Sequence, residues 1–255
     1  MGYLLWAGVM AKIKYQPGQS DIYKVSRTQI EAFVQCPRCT ILNHRFGVKP
    51  PSGPPFNINS AVDSLLKTEF DVHRAAGTVH PIVAEAGLSH VPFAHDQLDK
   101  WRANFTGVQA LHQPTNLLVF GAVDDIWVNS DGQLIVVDYK ATAKKEQVTE
   151  VGTDGFHAAY RRQLDVYQWL LRQNGFDVSP TAYWLYCTGI PDAPAFNKRV
   201  EFRTALIPYE GDTGWIEPVL LELKAALDAE ELPASSESCE ICSYFEKRVL
   251  YSHTK

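Results

Sequence analysis

Two apolar strands joined by a tight turn dominate the middle of the chain, and charged side chains interrupt their apolar pattern. Residues 116–142 predict an antiparallel hairpin, because the turn Asn129-Ser130-Asp131-Gly132 is a strong hairpin sequence. Side chains alternate along a strand, so in LIVVDYK the side chains of Asp138 and Lys140 share one face with Leu134 and Val136. An acid and an amine therefore project together beyond an apolar run.

The preceding strand carries a second acid on an apolar face. Asp124 is in phase with the apolar residues Phe120, Ala122 and Ile126. Burying two carboxylates and an amine is costly unless they pair with one another or bind a cation. One interpretation is a Mg²⁺ or Mn²⁺ site, since these ions prefer carboxylate oxygens. The other is a surface salt bridge at the end of an edge hairpin.

Helical and strand patterns surround this hairpin. Thr28 predicts a helix start, with Glu31 completing a capping box. Helices are predicted at about 26–35, 60–76, 95–105, 156–174 and 215–230, and strands at about 181–188 and 199–207. This order predicts an α/β or α+β domain with a mixed sheet.

Four of the five cysteines form two pairs of identical spacing, Cys36 with Cys39 and Cys239 with Cys242. Two CxxC pairs indicate a four-thiolate metal site, and the alternatives are a redox dithiol or incidental cysteines. The fifth, Cys187, lies in a strand-like run and is predicted to be a buried small hydrophobe.

The charge balance limits the classes of function. The net charge of −5 argues against a protein that coats DNA by bulk charge alone. The net charge does not exclude an enzyme that acts on DNA, because a bound metal supplies positive charge. The chain contains no HExxH pattern and no Walker or Rossmann glycine pattern, which argues against a histidine zinc-hydrolase site and against ATP hydrolysis.

No stretch reaches the length of a membrane span, and the apolar start MGYLLWAGVM lacks the basic region of a signal peptide. We therefore expect a cytoplasmic protein. Residues 1–9 are interpreted as a tail or extension and are given no function.

Four motifs in order resemble the PD-(D/E)XK nuclease superfamily, in its RecB-like branch. GAVDDIWVNSDGQLIVVDYKAT is similar to that branch's Gly-x-x-Asp strand, hairpin, and apolar strand ending in Asp-Tyr-Lys. The branch continues with a helix that carries Gln and Tyr four residues apart, as Gln163 and Tyr167 are here. It opens with a Ser-x-Ser/Thr helix leading to Cys-Pro, matched by Ser26, Thr28, Cys36 and Pro37. The similarity extends to Cys242.

The resemblance implies a restriction-endonuclease-like core, with a mixed central sheet flanked by helices and the chain ends joined at a four-cysteine metal site. It implies one domain over 26–255 after an N-terminal tail at 1–25. Residues 26–58 and 232–255 would form the cysteine region.

The resemblance also implies roles for single residues. The expected catalytic residues are Asp124, Asp138, Lys140 and Gln163. The expected ligands of Mg²⁺ or Mn²⁺ are Asp63, Asp124, Asp138 and the carbonyl of Tyr139. The expected substrate contacts are Tyr167, Lys144 and Arg161.

The chain departs from the family pattern in two places. Asp63 stands where the family usually has a histidine on an early helix, and His80 is a second candidate for that position. The cysteines are arranged two plus two rather than one plus three, because Arg248 lies near the third late position and Cys39 is an extra early one. The resemblance to iron–sulfur CRISPR-associated and AddB-type exonucleases implies a [4Fe–4S] cluster, whereas the CxxC spacing equally permits structural Zn²⁺.

The implied function is a metal-dependent DNA nuclease, an exonuclease on single-stranded or frayed DNA. It would act in DNA repair and recombination or in CRISPR adaptation, with a helicase or a CRISPR adaptation protein as partner. One alternative is a catalytically weak or inactive nucleic-acid-binding or assembly subunit that keeps the nuclease fold. Another is a zinc-clamped enzyme of a different phosphodiester class.

Overall fold

The computed structural model describes residues 14–51, 53 and 57–252, and in this part of the chain the strands form two mixed sheets. In chain order they are β1 (Tyr23–Ser26), β2 (Val91–Pro92), β3 (Val108–His112), β4 (Leu117–Gly121), β5 (Asp125–Val128), β6 (Leu134–Ala143), β7 (Thr181–Gly189) and β8 (Phe202–Glu210). The smaller sheet has the order β1-β4-β3 and the larger one β2-β5-β6-β7-β8. β1 is parallel to β4 and β6 to β7, while the other pairs are antiparallel.

Helices cover the larger sheet on both faces. They are α1 (Arg27–Gln35), α2 (Pro37–Ile41), α3 (Asn57–Ala76), α4 (Pro81–Glu85), α5 (Leu98–Arg102), α6 (Gly155–Gln173), α7 (Ile216–Asp228) and α8 (Glu240–Ser252), with a π-helical turn at Leu42–Phe46. Val136 of β6 packs in the core cluster of α6 and α7, whereas Ile135 packs with Phe70 of α3. The expected architecture, a mixed sheet flanked by helices, is confirmed. None of the described helices is long and apolar enough to span a membrane.

The first strand of the predicted hairpin is divided between the two sheets. β4 ends at Gly121 in the smaller sheet, and β5 begins at Asp125 in the larger one. The prediction of one continuous strand is therefore wrong, and Asp124 lies in the link between the sheets. The break occurs where the backbone is crowded, since a Cβ on Gly121 would come within 2.7 Å of the Tyr167 ring.

Helix α1 is capped two residues earlier than predicted. Ser26 is the N-cap: its side chain accepts a hydrogen bond from the backbone N–H of Gln29, and the Gln29 side chain accepts one from the Ser26 N–H. The predicted capping box of Thr28 and Glu31 is wrong, because β1 runs up to Ser26 and the chain turns there. Glu31 instead accepts two hydrogen bonds from Arg162 of α6, both at 2.8 Å.

The two ends of the described chain are more ordered than the sequence predicts. Residues 14–25 were expected to belong to a tail, yet Tyr15 is buried and β1 pairs with β4. Residues 1–13, including the segment 1–9 to which no function was given, lie outside the described residues. The late cysteines lie on and just before α8, which the sequence analysis did not predict.

Candidate active site

An open cleft of about 310 Å³ lies where α3, β6, α6 and the link before β5 meet. It is lined by Asn59, Ser60, Val62, Asp63, Asp124, Tyr139, Lys140, Ala141 and Tyr160. Three of the residues predicted as metal ligands, Asp63, Asp124 and Tyr139, therefore line one cleft together with Lys140. The fourth, Asp138, lies beneath this surface and has no solvent exposure.

The polar face of β6 meets α6 beneath the cleft. Lys140 forms an ion pair with Asp138, and the Gln163 amide donates a hydrogen bond of 2.7 Å to the other Asp138 oxygen. The Lys140 ammonium also donates to the Gln163 carbonyl oxygen at 3.4 Å. Gln163 thus fixes the acid and the amine relative to each other, as the alternation in β6 and the position of Gln163 on α6 allow.

Asp124 joins this group from the link between the sheets. One of its oxygens accepts a hydrogen bond of 3.0 Å from the backbone N–H of Tyr139, which ties the link to β6. Burial and the negative charge of Asp124 raise the pKa of Asp138 to about 7, although the positive charge of Lys140 lowers it. Burial opposes the charge on Lys140, but Asp138 and Asp124 outweigh it and raise the lysine pKa. The ammonium is therefore charged at neutral pH.

A lysine that the sequence analysis missed lies between two of the acids. The Lys67 ammonium is 2.8 Å from an Asp63 oxygen and 3.5 Å from an Asp124 oxygen. Burial raises the pKa of Asp63, and the charge of Asp124 raises it further. Lys67 follows Asp63 by four residues on α3, a spacing that could have revealed the pair.

The chemistry of these acids fits a divalent cation. Lys67 already marks a cation position between Asp63 and Asp124, and burial together with the charge of Asp124 raises the pKa values of Asp63 and Asp138. Among the described residues, the oxygens of Asp63, Asp124 and Asp138 do not all come within 4.8 Å of one another. The Lys67 ammonium lies between two of these acids, Asp63 and Asp124.

The neighbour of Asp124 has a different environment. Asp125 is fully buried and accepts hydrogen bonds from Arg74, Arg102 and Trp127 and from the Tyr139 hydroxyl. Asp71 pairs with the same two arginines. This network could not be predicted from the sequence, because nothing local indicates that two distant arginines converge on Asp125.

The predicted substrate contacts do not all reach the cleft. Tyr167 is only 3% exposed, and its hydroxyl accepts a hydrogen bond of 3.1 Å from the Gln163 amide. Tyr167 therefore helps to position the Gln163 side chain. Arg161 donates to the backbone carbonyls of Val151 and Gly152 and does not line the cleft. Lys144 is exposed directly after the end of β6.

The second candidate for the early histidine lies elsewhere. His80 is buried at the N-cap of α4, accepts a hydrogen bond from the backbone N–H of Ile82, and pairs with Glu69. It does not line the cleft, whereas Asp63 does. Of the two candidates, Asp63 is therefore the one that lies at the cleft.

The four paired cysteines meet at one place. The sulfurs of Cys36 and Cys39 face those of Cys239 and Cys242, and all four lie within 4.8 Å of one another. Burial opposes ionisation of Cys36, but hydrogen bonds from the backbone of Cys39 and Ser236 and from neighbouring thiols lower its pKa to about 7. Cys187 is buried in β7, apart from this group. The cysteines therefore form a metal-binding group that joins the two ends of the described chain.

Solved structures and a family model are similar to this chain. The solved structure of SSO0001 is similar with a TM-score of 0.40 and 17% identity, over 81% of this chain and 77% of that chain. The crystal structure of a candidate exonuclease from Eubacterium rectale is similar with a TM-score of 0.44 and 17% identity, over 86% of each chain. A comparison with curated proteins gave no match. The family model of the PD-(D/E)XK nuclease superfamily matches residues 59–246, which include the acids, the lysine and the glutamine of the cleft. The chain belongs to the PD-(D/E)XK nuclease superfamily.

Proposed function

We propose that the protein is a DNA nuclease that depends on Mg²⁺ or Mn²⁺. The observation that carries this proposal is the convergence of Asp124, Asp138 and Lys140 at an open cleft, with Gln163 hydrogen-bonded to both Asp138 and Lys140. An acid pair with a charged lysine beside it suits hydrolysis of a phosphodiester.

The acids and the lysine each have a part in the proposed reaction. Asp63, Asp124, Asp138 and the Tyr139 carbonyl would hold the cation. When bound, a divalent cation supplies positive charge to the phosphodiester and lowers the pKa of water at the site. Gln163 and Asp138 hold the Lys140 ammonium in place. The ammonium would donate hydrogen bonds to the phosphate oxygens as negative charge develops on them.

Two aromatic rings beside the lysine, the half-buried Tyr160 and the exposed Phe156, support single-stranded or frayed DNA as the substrate. Tyr160 lines the cleft, and the Lys140 ammonium lies 4.5 Å from its ring centre. The Phe156 ring, 61% exposed, lies 5.6 Å from the Tyr160 ring. Unpaired bases stack on such rings regardless of sequence. Lys144, exposed after β6, would contact the phosphate backbone.

The resemblance to RecB-like nucleases supports the finer parts of the proposal. These are exonuclease action, a cytoplasmic location, a role in DNA repair, recombination or CRISPR adaptation, and a helicase or CRISPR adaptation partner. The alternative of an inactive DNA-binding subunit predicts DNA binding without metal-dependent cleavage, so one assay separates the two.

Cleavage of end-labelled single-stranded and duplex DNA, with Mg²⁺, Mn²⁺ or EDTA, tests the activity. We expect metal-dependent cleavage by the parent protein and none by Asp138→Ala or Lys140→Ala. Matched controls are Asp131→Ala in the hairpin turn and Lys100→Ala on α5, both exposed residues outside the cleft. DNA binding by a parent protein that does not cleave would support the inactive subunit instead.

The substrate preference has its own test. Phe156→Ala should weaken binding of single-stranded DNA by about tenfold, since stacking of one base contributes ~1–3 kcal/mol. Phe105→Ala is the matched control, because Phe105 is 88% exposed and does not line the cleft. Equal affinities of Phe156→Ala and the parent protein for single-stranded DNA would contradict the stacking role.

A further inference from the structure

The four-cysteine group has the dimensions of a small site. The sulfur of Cys39 is 3.4 Å from that of Cys242 and 3.7 Å from that of Cys239, and the sulfurs of Cys36 and Cys242 are 3.8 Å apart. All four sulfurs lie within 4.8 Å of one another. No disulfide joins them. The four cysteine sulfurs therefore form one compact group.

These distances distinguish a single ion from a cluster. Four thiolates around one zinc ion share a centre, so a Zn–S bond of ~2.3 Å gives tetrahedron edges of ~3.8 Å. Each thiolate of a [4Fe–4S] cluster bonds its own iron at a corner of the cube, which separates the thiolate sulfurs by roughly 6 Å. The [4Fe–4S] cluster that the family resemblance implies does not fit between these sulfurs.

We propose that Cys36, Cys39, Cys239 and Cys242 bind one Zn²⁺ ion in a closed tetrahedral site. Thiolates are preferred zinc ligands, and two CxxC pairs supply the four that a structural site requires. All four positions are filled by protein, so the ion takes no part in hydrolysis. The proposal is independent of the nuclease function, because it rests on the cysteines alone.

The packing of the C-terminal segment gives this ion a mechanical role. Helix α8 has no buried residue, and its apolar side chains, such as Phe245 and Leu250, are 65% and 70% exposed. Apolar packing therefore contributes little to holding α8 in place. Cys239 and Cys242 are at the start of this segment and face the cysteines around α2. Zinc would be the main attachment of α8 to the rest of the domain.

Metal analysis of the full-length protein, purified without oxygen from cells supplied with both iron and zinc, tests the proposal directly. We expect one zinc per chain, no acid-labile sulfide and no brown colour. Replacement of zinc by Co²⁺ should give the absorption spectrum of a tetrahedral tetrathiolate site. About four iron and four sulfide per chain would overturn the proposal, as would a protein that contains no metal.

Substitutions of single cysteines test whether these four residues bind the ion. Cys39→Ser and Cys242→Ser should lose zinc, while Cys187→Ala should retain one ion per chain, because Cys187 lies apart in β7. If a cysteine variant does not fold, removal of zinc from the parent protein by a chelator replaces it. Limited proteolysis should then cut within residues 233–252 and leave the rest of the domain intact. Equal protection of α8 with and without metal would contradict its attachment by zinc.

Discussion

The adjacent acids Asp124 and Asp125 provide a sharp test of the site, because their environments are opposite. Asp124 lines the cleft and is 24% exposed, whereas Asp125 is fully buried between Arg74 and Arg102. Asp124→Asn should abolish cleavage and leave the fold stable. Asp125→Asn should destabilise the fold.

The magnitudes follow from what each side chain contacts. Asp125 accepts five hydrogen bonds, and Asn at this position would turn its NH₂ group toward the donors of Trp127 and Tyr139. Breaking a buried ion pair by removing one charge costs about 3–5 kcal/mol. In a domain of this size that lowers the melting temperature by roughly 2–4 °C per kcal/mol.

Asp124→Asn removes a negative charge that repels Asp63 and Asp138, so the free energy of unfolding should change by less than about 1 kcal/mol. Loss of a metal ligand removes several kcal/mol of transition-state stabilisation, which corresponds to about 100-fold or more in rate.

Urea denaturation and DNA cleavage of both variants measure the two effects, with Asp131→Asn in the exposed turn as the control. A strongly destabilised Asp124→Asn, or an Asp125→Asn that is as stable as the parent protein, would refute this division of roles.

Three further predictions concern neighbouring contacts. Gly121→Ala should destabilise the fold by about 1–3 kcal/mol in urea denaturation, since its Cβ would lie 2.7 Å from the Tyr167 ring. Burial raises the pKa of Glu31, but hydrogen bonds from Arg162 outweigh it and lower the pKa from 4.5. Its contribution to the free energy of unfolding is therefore present above pH 4.5 and lost as the pH falls further. Denaturation at several pH values should show the difference between Glu31→Gln and the parent protein shrinking on acidification. Lys67→Met should lower the Mn²⁺ concentration that gives half-maximal cleavage, because its ammonium competes for the same two carboxylates. An unchanged Mn²⁺ requirement would contradict that competition.

Much of the site could be predicted because its residues follow local periodicity. Alternation in β6 places Asp138 and Lys140 on the face that meets α6, and the four-residue spacing of Gln163 and Tyr167 allows the hydrogen bond between them. The approach of the cysteine pairs follows in the same way from their matched spacing.

The features that could not be predicted depend on long-range contacts. The break after Gly121 arises because the chain passes from one sheet to the other, and no local sequence distinguishes this from a continuous strand. Asp125 is buried because Arg74 and Arg102 arrive from separate helices. Lys67 has an ordinary helical ion-pair spacing, and only the fold shows that its ammonium also approaches Asp124.

We propose that acids from α3, from the link before β5 and from β6 together hold a catalytic cation. Binding of Mn²⁺, followed by electron paramagnetic resonance in the absence of DNA, measures this directly for the parent protein and for Asp138→Asn. We expect saturable binding by the parent protein and by the Asp131→Asn control, with loss of binding in Asp138→Asn. Equal Mn²⁺ binding by all three proteins would contradict it.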